Sequence, residues 1–120
     1  MRSTPRRRPE QVAELIRQVL AEALTREVRD PRVGAVTLTR IEVSGDLSHA
    51  RVLVMGPGDE AERLRALEGL QSAAGFLRTR IARALATRTT PELHFELDRG
   101  LEHAARINAM LADLKREASD

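Results

Sequence analysis

The sequence predicts a two-layer α+β domain, in which helices cover one face of a small sheet. Its 120 residues fit one compact core and leave no room for a second. The spacing of apolar residues changes between helical and strand periods along the chain. Two of the strand patterns form a hairpin and a third follows much later, so the helices are expected to pack together on a single face.

The first helix is expected to begin at Pro9, a residue that suits the first turn of a helix. Apolar residues then recur at intervals of three and four, which is the spacing of one buried stripe. The helix is expected to end near Val28, because Asp30-Pro31 disfavours helical geometry at Asp30. The stripe consists of Val12, Leu15, Ile16, Val19, Leu20, Ala23 and Leu24.

Two strands follow, and a turn-rich segment joins them. In the first run, Val36 and Leu38 alternate with Thr, and Ile41 resumes in the opposite phase, which indicates a bulge or bend near Arg40. The second run is 50–55. The intervening Ser-Gly-Asp-Leu-Ser segment is rich in turn formers, so the pattern favours an antiparallel hairpin.

The second helical unit begins with a D-x-x-E start signal at Asp59 and Glu62. Its apolar pattern passes through Gly75, which costs about 1 kcal/mol relative to Ala inside a helix. We therefore predict a kink or a break into two helices there. A strand polar on one face follows at 93–98, and after Gly100 a final helix completes the order α-β-β-α-kink-α-β-α.

The charges are unevenly distributed, although the formal net charge is only +2. We expect residues 1–8 to form a basic flexible arm, 9–117 a single domain and 118–120 a short tail. Ser72–Pro91 carries four arginines and no acidic residue, whereas Glu92–Asp120 carries an excess of acids. Clustered basic charge is typical of a polyanion partner, and it is also found on faces that are merely solvated.

The kink is the strongest candidate for a binding site. A helix that starts after a glycine presents free backbone N–H groups to an anion, here those of Phe76, Leu77 and Arg78. Arg78 and Arg83 are expected to straddle a phosphate backbone beside it. The alternative is a packing kink whose arginines only solvate the surface. The candidate RNA-binding residues are Arg6, Arg7, Arg8, Ala73, Ala74, Gly75, Arg78, Arg80, Arg83 and Arg88.

Catalytic and metal-binding patterns are weak. His94, Glu96 and Asp98 project from one face of a strand, with His103 nearby, a spacing that suits either a metal or a solvated sheet face. Asp46, Ser48 and His49 are the residue types of a triad, but they lie in a predicted turn. We expect no catalytic residue, no metal and no cofactor.

The amino-acid composition excludes several classes of functional site and of protein. Cysteine is absent, which excludes disulfides, thiolate nucleophiles and cysteine-based zinc sites. Phe76 and Phe95 cannot fill a core and also furnish the aromatic platform of several RNA readers. No apolar run approaches the roughly 18 residues that span a bilayer, so a soluble, cytoplasmic protein is expected.

Four short motifs follow one another along the chain. They are Asp30-Pro31-Arg32 with Gly34, Val43-Ser44-x-Asp46-Leu47-Ser48-x-Ala50-x-Val52, Ala73-Ala74-Gly75-Phe76-Leu77-Arg78 and Arg88-x-x-Pro91-x-Leu93-x-Phe95. In this order and spacing the sequence resembles the bacterial ribosome-binding factor A family, over roughly Pro9 to Leu111. The resemblance implies a type II KH-like fold in which an A-x-G kink, matching Ala73 and Gly75, replaces the G-x-x-G phosphate clamp.

The resemblance also implies a function. Members of this family are monomeric assembly factors that bind the free small (30S) ribosomal subunit, contact 16S rRNA and assist late maturation, including processing of the rRNA 5′ end. A requirement for these factors during growth in the cold is characteristic of the family. Because Ser72 and Gly75 stand where a KH domain has two glycines, we expect recognition of structured rRNA through phosphates and shape. The alternative is a protein-interaction module without direct RNA binding.

Overall fold

A computed structural model describes the backbone of residues 8–86 and 89–119, and the side chains of residues 8–86, 89–100 and 106–117. Three helices and three strands in the order α-β-β-α-β-α confirm the predicted α+β class. They are α1 (Pro9–Arg26), β1 (Thr37–Val43), β2 (His49–Met55), α2 (Glu60–Leu85), β3 (Glu92–Leu97) and α3 (Arg99–Ser119). The last helix continues past the expected boundary at residue 117.

The sheet has three strands in the order β1-β2-β3. β1 and β2 form the predicted antiparallel hairpin, and β3 pairs in parallel with β2. The register of β1 shifts between Leu38 and Arg40, which confirms the predicted bulge. On the outer face of the sheet, which is the face opposite to α1 and α2, Arg51 of β2 lies between Glu42 of β1 and His94 of β3.

Helices α1 and α2 cover the other face of the sheet, as the sequence predicts. The expectation that the last helix packs there with them is wrong for the described part of α3, whose apolar side chains are exposed. The core residues come from both layers, and each is at most 9% exposed. The principal members are Val12, Ile16 and Leu20 of α1, Val52 and Val54 of β2, Leu70, Leu77 and Ile81 of α2, and Phe95 of β3. Helix α2 begins with the expected capping box, in which the Asp59 side chain accepts a hydrogen bond from the Glu62 backbone N–H at 2.8 Å.

Helix α2 is continuous through Gly75, so of the two predicted alternatives at Ala73-Ala74-Gly75, a kink or a break into two helices, the break is wrong. The buried stripe passes from Leu70 to Leu77 and Ile81 without a change of phase, and all three side chains are fully buried. Burying each such side chain stabilises the fold by about 1.5–3 kcal/mol, which exceeds the roughly 1 kcal/mol cost of a helical glycine.

Helix α3 contributes no residue to the core among the side chains that the structure describes. Four large apolar side chains on it are between 42% and 63% exposed, namely Ile107, Met110, Leu111 and Leu114. The longest dimension of the molecule is 73 Å, against 34 and 18 Å for the other two. Within the described chain, no helix combines the length and apolar character needed to cross a bilayer.

Candidate nucleic-acid interface

The second half of α2 brings six of the predicted site residues onto one helix. Gly75, Arg78 and Arg83 are exposed, and Ala73, Ala74 and Arg80 are partly buried. The backbone N–H groups that follow Gly75 lie inside the continuous helix and are used by its own hydrogen bonds. The predicted backbone anion site is therefore wrong, and the side chains of this helix have to carry any contact with a phosphate.

Gly75 opens the helix surface. A Cβ atom at this position would meet no atom within 4 Å, so packing inside the domain does not require glycine here. An open depression of about 340 Å³ lies beside it, lined by Gly75, Arg78, Thr79, Ala82 and Thr90. This surface admits a group of the size of a phosphate, and Arg78 forms part of its wall.

The three arginines of the helix have different surroundings. Arg78 donates a hydrogen bond from Nη2 to the Thr90 carbonyl at 3.0 Å, which ties α2 to the segment before β3. Arg80 forms an ion pair with Glu27, and this partner reduces the charge that Arg80 offers to a ligand. Arg83 is exposed and makes no hydrogen bond or ion pair with any residue that the structure describes.

Phe76 is a candidate that the sequence reasoning missed. Phe95 is buried at 5% exposure, as expected for a core residue, but Phe76 is 45% exposed. The guanidinium carbon of Arg80 lies 5.5 Å from the centroid of the Phe76 ring, within cation–π range. The helical period contained the signal, because Phe76 precedes Arg80 by four residues and Arg83 by seven and therefore shares their face.

The remaining predicted site residues are outside the helix. Arg8 directly precedes α1, and its backbone N–H donates to the Gln11 side chain at 3.1 Å, so it is joined to the helix start. Arg6, Arg7 and Arg88 lie outside the described residues, as does most of the predicted basic arm.

Most residues of the weak metal-binding and catalytic patterns form hydrogen bonds that serve other purposes. Glu96 accepts a hydrogen bond from Arg51 Nε at 2.6 Å, and that bond lowers the pKa of Glu96. Asp98 accepts one from the Thr39 hydroxyl, also at 2.6 Å. The metal pattern His94, Glu96 and Asp98 therefore does not converge on one point. In the turn, the Asp46 carboxylate accepts hydrogen bonds from both Ser44 and Ser48, which gives Asp46 and Ser48 a structural role there.

Asp46 gives a testable pH dependence. Hydrogen bonds from Ser48 and Ser44 hold the pKa of Asp46 well below its ordinary value of 3.8. A depressed pKa means that the carboxylate stabilises the fold fully above about pH 4, and that this contribution is lost as the pH falls toward the folded-state pKa. We expect Asp46→Asn to lower the melting temperature at pH 7 and to flatten its decline between about pH 4 and pH 2. Thermal unfolding at several pH values measures both effects.

The matched control for this prediction is Asp113→Asn. Asp113 is an exposed carboxylate on α3 that pairs with Arg116 and is remote from the core. A decline of the same steepness in Asp46→Asn and the unmodified protein, with the control also unchanged, would contradict the role assigned to Asp46.

Comparisons with known proteins agree on one family. A family model described as ribosome-binding factor A matches residues 8–111. The ribosome-binding factor A of Thermomicrobium roseum is 49% identical over 113 residues, covering 94% of this chain and 88% of the relative. The crystal structure of ribosome-binding factor A from Thermus thermophilus has a TM-score of 0.64 and 27% identity, covering 74% of this chain and 94% of that one.

A further structural neighbour comes from a complex. It is a homology model of the Thermus thermophilus ribosome binding factor A, fitted into a cryo-EM map of that factor with the 30S subunit. It has a TM-score of 0.52 and 32% identity to this chain, covering 73% of this chain and 96% of the other.

Proposed function

The chain belongs to the ribosome-binding factor A family, and on this basis we propose that it binds the free small ribosomal subunit. The observation that carries the proposal is the related factor fitted into a map of its complex with the 30S subunit. In this proposal the protein acts as a cytoplasmic monomer, contacts 16S rRNA and assists late maturation of the subunit. In the same proposal the protein assists processing of the rRNA 5′ end and is needed more for growth in the cold. Its role is not catalytic.

The proposed rRNA surface is the exposed face of α2 around Gly75. In this proposal Arg78, which lines the depression beside Gly75, and Arg83, which is exposed on the same helix, supply two guanidinium groups. A guanidinium matches the geometry of a phosphate and stays charged at all relevant pH values. Ala73 and Ala74 are partly buried and pack against the core, and in this proposal their small side chains let a backbone phosphate approach the helix closely.

Phe76 adds a contact of another kind to this surface. A half-exposed ring beside two arginines is suited to stack on an unpaired base, an interaction worth about 1–3 kcal/mol per base. Arg80 pairs with Glu27, and its guanidinium lies over the Phe76 ring. These two contacts hold the Phe76 side chain at the surface. The sequence has further basic residues at Arg6, Arg7, Arg8 and Arg88, and we propose that they contact phosphates as well.

Co-sedimentation tests the proposed function. The purified chain is centrifuged with free 30S subunits and, separately, with joined 70S ribosomes at the same salt concentration. We expect one chain to be retained per free subunit and little on the joined ribosome. Equal retention on both particles, or no retention on either at low salt, contradicts the proposal.

Replacing Gly75 with Leu separates binding from folding. Gly75 is an exposed helical position where a Cβ meets no atom within 4 Å, so the fold is expected to tolerate Leu. On the proposed surface, however, the added side chain keeps a phosphate away from the helix. We expect weaker retention on 30S subunits together with an unchanged or higher melting temperature. Normal binding by this variant would exclude Gly75 from the contact surface.

One observation favours the alternative of a protein-interaction module. The apolar residues of α3 are exposed, and amphipathic helices of this kind commonly pack against proteins. The two hypotheses differ in binding to protein-free 16S rRNA, which a protein-interaction module does not require. Salt-sensitive binding to the naked rRNA supports the RNA surface. Retention on subunits that survives high salt but is lost in a Leu111→Gln, Leu114→Gln variant supports the alternative.

A further inference from the structure

Three exposed side chains converge on the outer face of the sheet, at the end where β2 and β3 begin. They are His49 of β2 and Glu92 and His94 of β3. The Nδ1 atom of His49 lies 3.0 Å from Nε2 of His94 and 3.8 Å from Oε2 of Glu92. All three potential ligand atoms lie within 4.8 Å of one another.

The backbone around this cluster is fixed by hydrogen bonds. Both polar groups of the His49 main chain bond to Ser44, since the His49 N–H donates to Oγ at 3.0 Å and the His49 carbonyl accepts from the Ser44 N–H at 2.9 Å. The Glu92 N–H donates to the Ser48 carbonyl at 2.8 Å. The parallel register then places His49 beside Glu92, with His94 one pleat further along.

We propose that His49, Glu92 and His94 form a surface site for a divalent transition-metal ion, with Zn²⁺ as the ion that it suits best. Two imidazole nitrogens and one carboxylate oxygen are a common ligand set for zinc and a poor one for magnesium or calcium. Tetrahedral bonds of about 2.0–2.1 Å separate ligand atoms by about 3.4 Å. The spacings here are 3.0 Å, 3.8 Å and, between His94 and Glu92, at most 4.8 Å, so the exposed side chains have to shift by up to about 1.4 Å. The fourth position stays open to water.

The neighbouring charges are already paired and leave the cluster free for a cation. Arg51, which follows on the same face of β2, binds Glu96 at 2.6 Å and Glu42 at 3.0 Å. Its positive charge is therefore directed away from Glu92. The pairing also makes Glu92, rather than Glu96, the carboxylate available to His94.

The proposed metal site is independent of the proposed rRNA surface. It lies on the face of the sheet opposite to α1 and α2, whereas Gly75 and Arg83 lie on the outer side of α2. Loss of metal binding therefore leaves the rRNA proposal intact, and the reverse also holds. An ion bridging β2 and β3 binds only the folded chain, so it is expected to raise the melting temperature.

The test is Zn²⁺ titration of the full chain without a histidine tag, by calorimetry, with Co²⁺ absorption as a spectroscopic probe. We expect one ion per chain and a melting temperature several degrees higher in its presence. His49→Ala and His94→Ala are each expected to weaken binding at least about tenfold, and Glu92→Gln to weaken it less. Because all three side chains are exposed, the metal-free variants are expected to keep their far-ultraviolet circular dichroism.

Two matched substitutions serve as controls. His103→Ala removes the third histidine of the sequence, and Glu96→Gln removes the carboxylate that pairs with Arg51. Both are expected to bind Zn²⁺ like the unmodified chain. The proposal is overturned if no saturable binding occurs up to about 1 mM Zn²⁺, a concentration that corresponds to only about 4 kcal/mol of affinity. It is also overturned if His103→Ala or Glu96→Gln weakens binding as much as His94→Ala does.

Discussion

Replacing Gly69 with Leu is expected to lower the free energy of unfolding by about 3 kcal/mol, the upper part of the usual range for overpacking a core. Gly69 is a buried residue of α2 that faces the loop between α1 and β1. A Cβ atom there would lie 2.8 Å from Cγ2 of Val33 and 3.2 Å from Cβ of Arg32. The first added carbon therefore already overlaps the loop, before the rest of the Leu side chain is placed.

The loop is unable to move away cheaply. Val33 is only 2% exposed and belongs to the core, so displacing it uncovers apolar surface. The Asp30 side chain accepts two hydrogen bonds on its Oδ1 atom, from the Arg32 backbone N–H at 2.9 Å and from Arg32 Nε at 3.0 Å. These bonds hold the loop in one conformation, and the side-chain bond from Arg32 also lowers the pKa of Asp30.

Gly75→Leu is the matched control, since it makes the same change six residues later in the same helix. Nothing lies within 4 Å of a Cβ at Gly75, so the only expected effect on stability is the higher helix propensity of Leu, worth roughly 0.5–1 kcal/mol. Urea unfolding of both variants measures the two changes, which should have opposite signs. Destabilisation of the same size at both positions would show that glycine is needed for the path of the helix and not for its contact with Val33.

The order of elements was predictable because it depends on local periodicity. The stripe of α1, the capping box at Asp59 and the change of phase near Arg40 are each contained in a short window of sequence. The continuity of α2 was not predictable in the same way. Whether a helical glycine interrupts a helix depends on the burial of Leu70, Leu77 and Ile81 against the sheet, which is a property of the packed domain.

The candidate sites show the same division between local and tertiary information. A helical period is sufficient to place Arg78 and Arg83 on a surface beside Gly75. It does not show that Arg80 meets Glu27, 53 residues earlier, because that contact requires α1 to pack beside α2. Likewise, His49 and His94 are 45 residues apart and meet only through the parallel pairing of β2 with β3.

Reversing two charges on α2 is expected to have the largest effect on function. In a variant with Arg78→Glu and Arg83→Glu, two proposed phosphate contacts are lost and two anions face the rRNA backbone. We expect affinity for free 30S subunits at about 0.1 M salt to fall by roughly 100-fold, which corresponds to about 2.7 kcal/mol. Sedimentation binding over a salt series measures the affinity, and thermal unfolding verifies that the domain is intact.

The matched control carries the same change in net charge at sites away from this surface. Arg40 lies on β1, where it pairs with Glu42, and Arg116 lies on α3, where it pairs with Asp113. In a variant with Arg40→Glu and Arg116→Glu we expect only the small loss that follows from a more negative protein. A loss in the control as large as that in the α2 variant would place the rRNA contact elsewhere on the molecule.

A milder change at Arg83 identifies the physical cause of the loss. Arg83 is exposed and has no partner among the described residues, so Arg83→Ala removes one charge without breaking an internal contact. If this guanidinium binds a phosphate, the Arg83→Ala variant releases fewer counterions from the rRNA when it binds. The slope of log affinity against log salt should then flatten by roughly one at most. An Arg83→Ala variant with reduced affinity but an unchanged slope would mean that Arg83 contacts a protein or a base. An unchanged affinity and slope would exclude Arg83 from the interface.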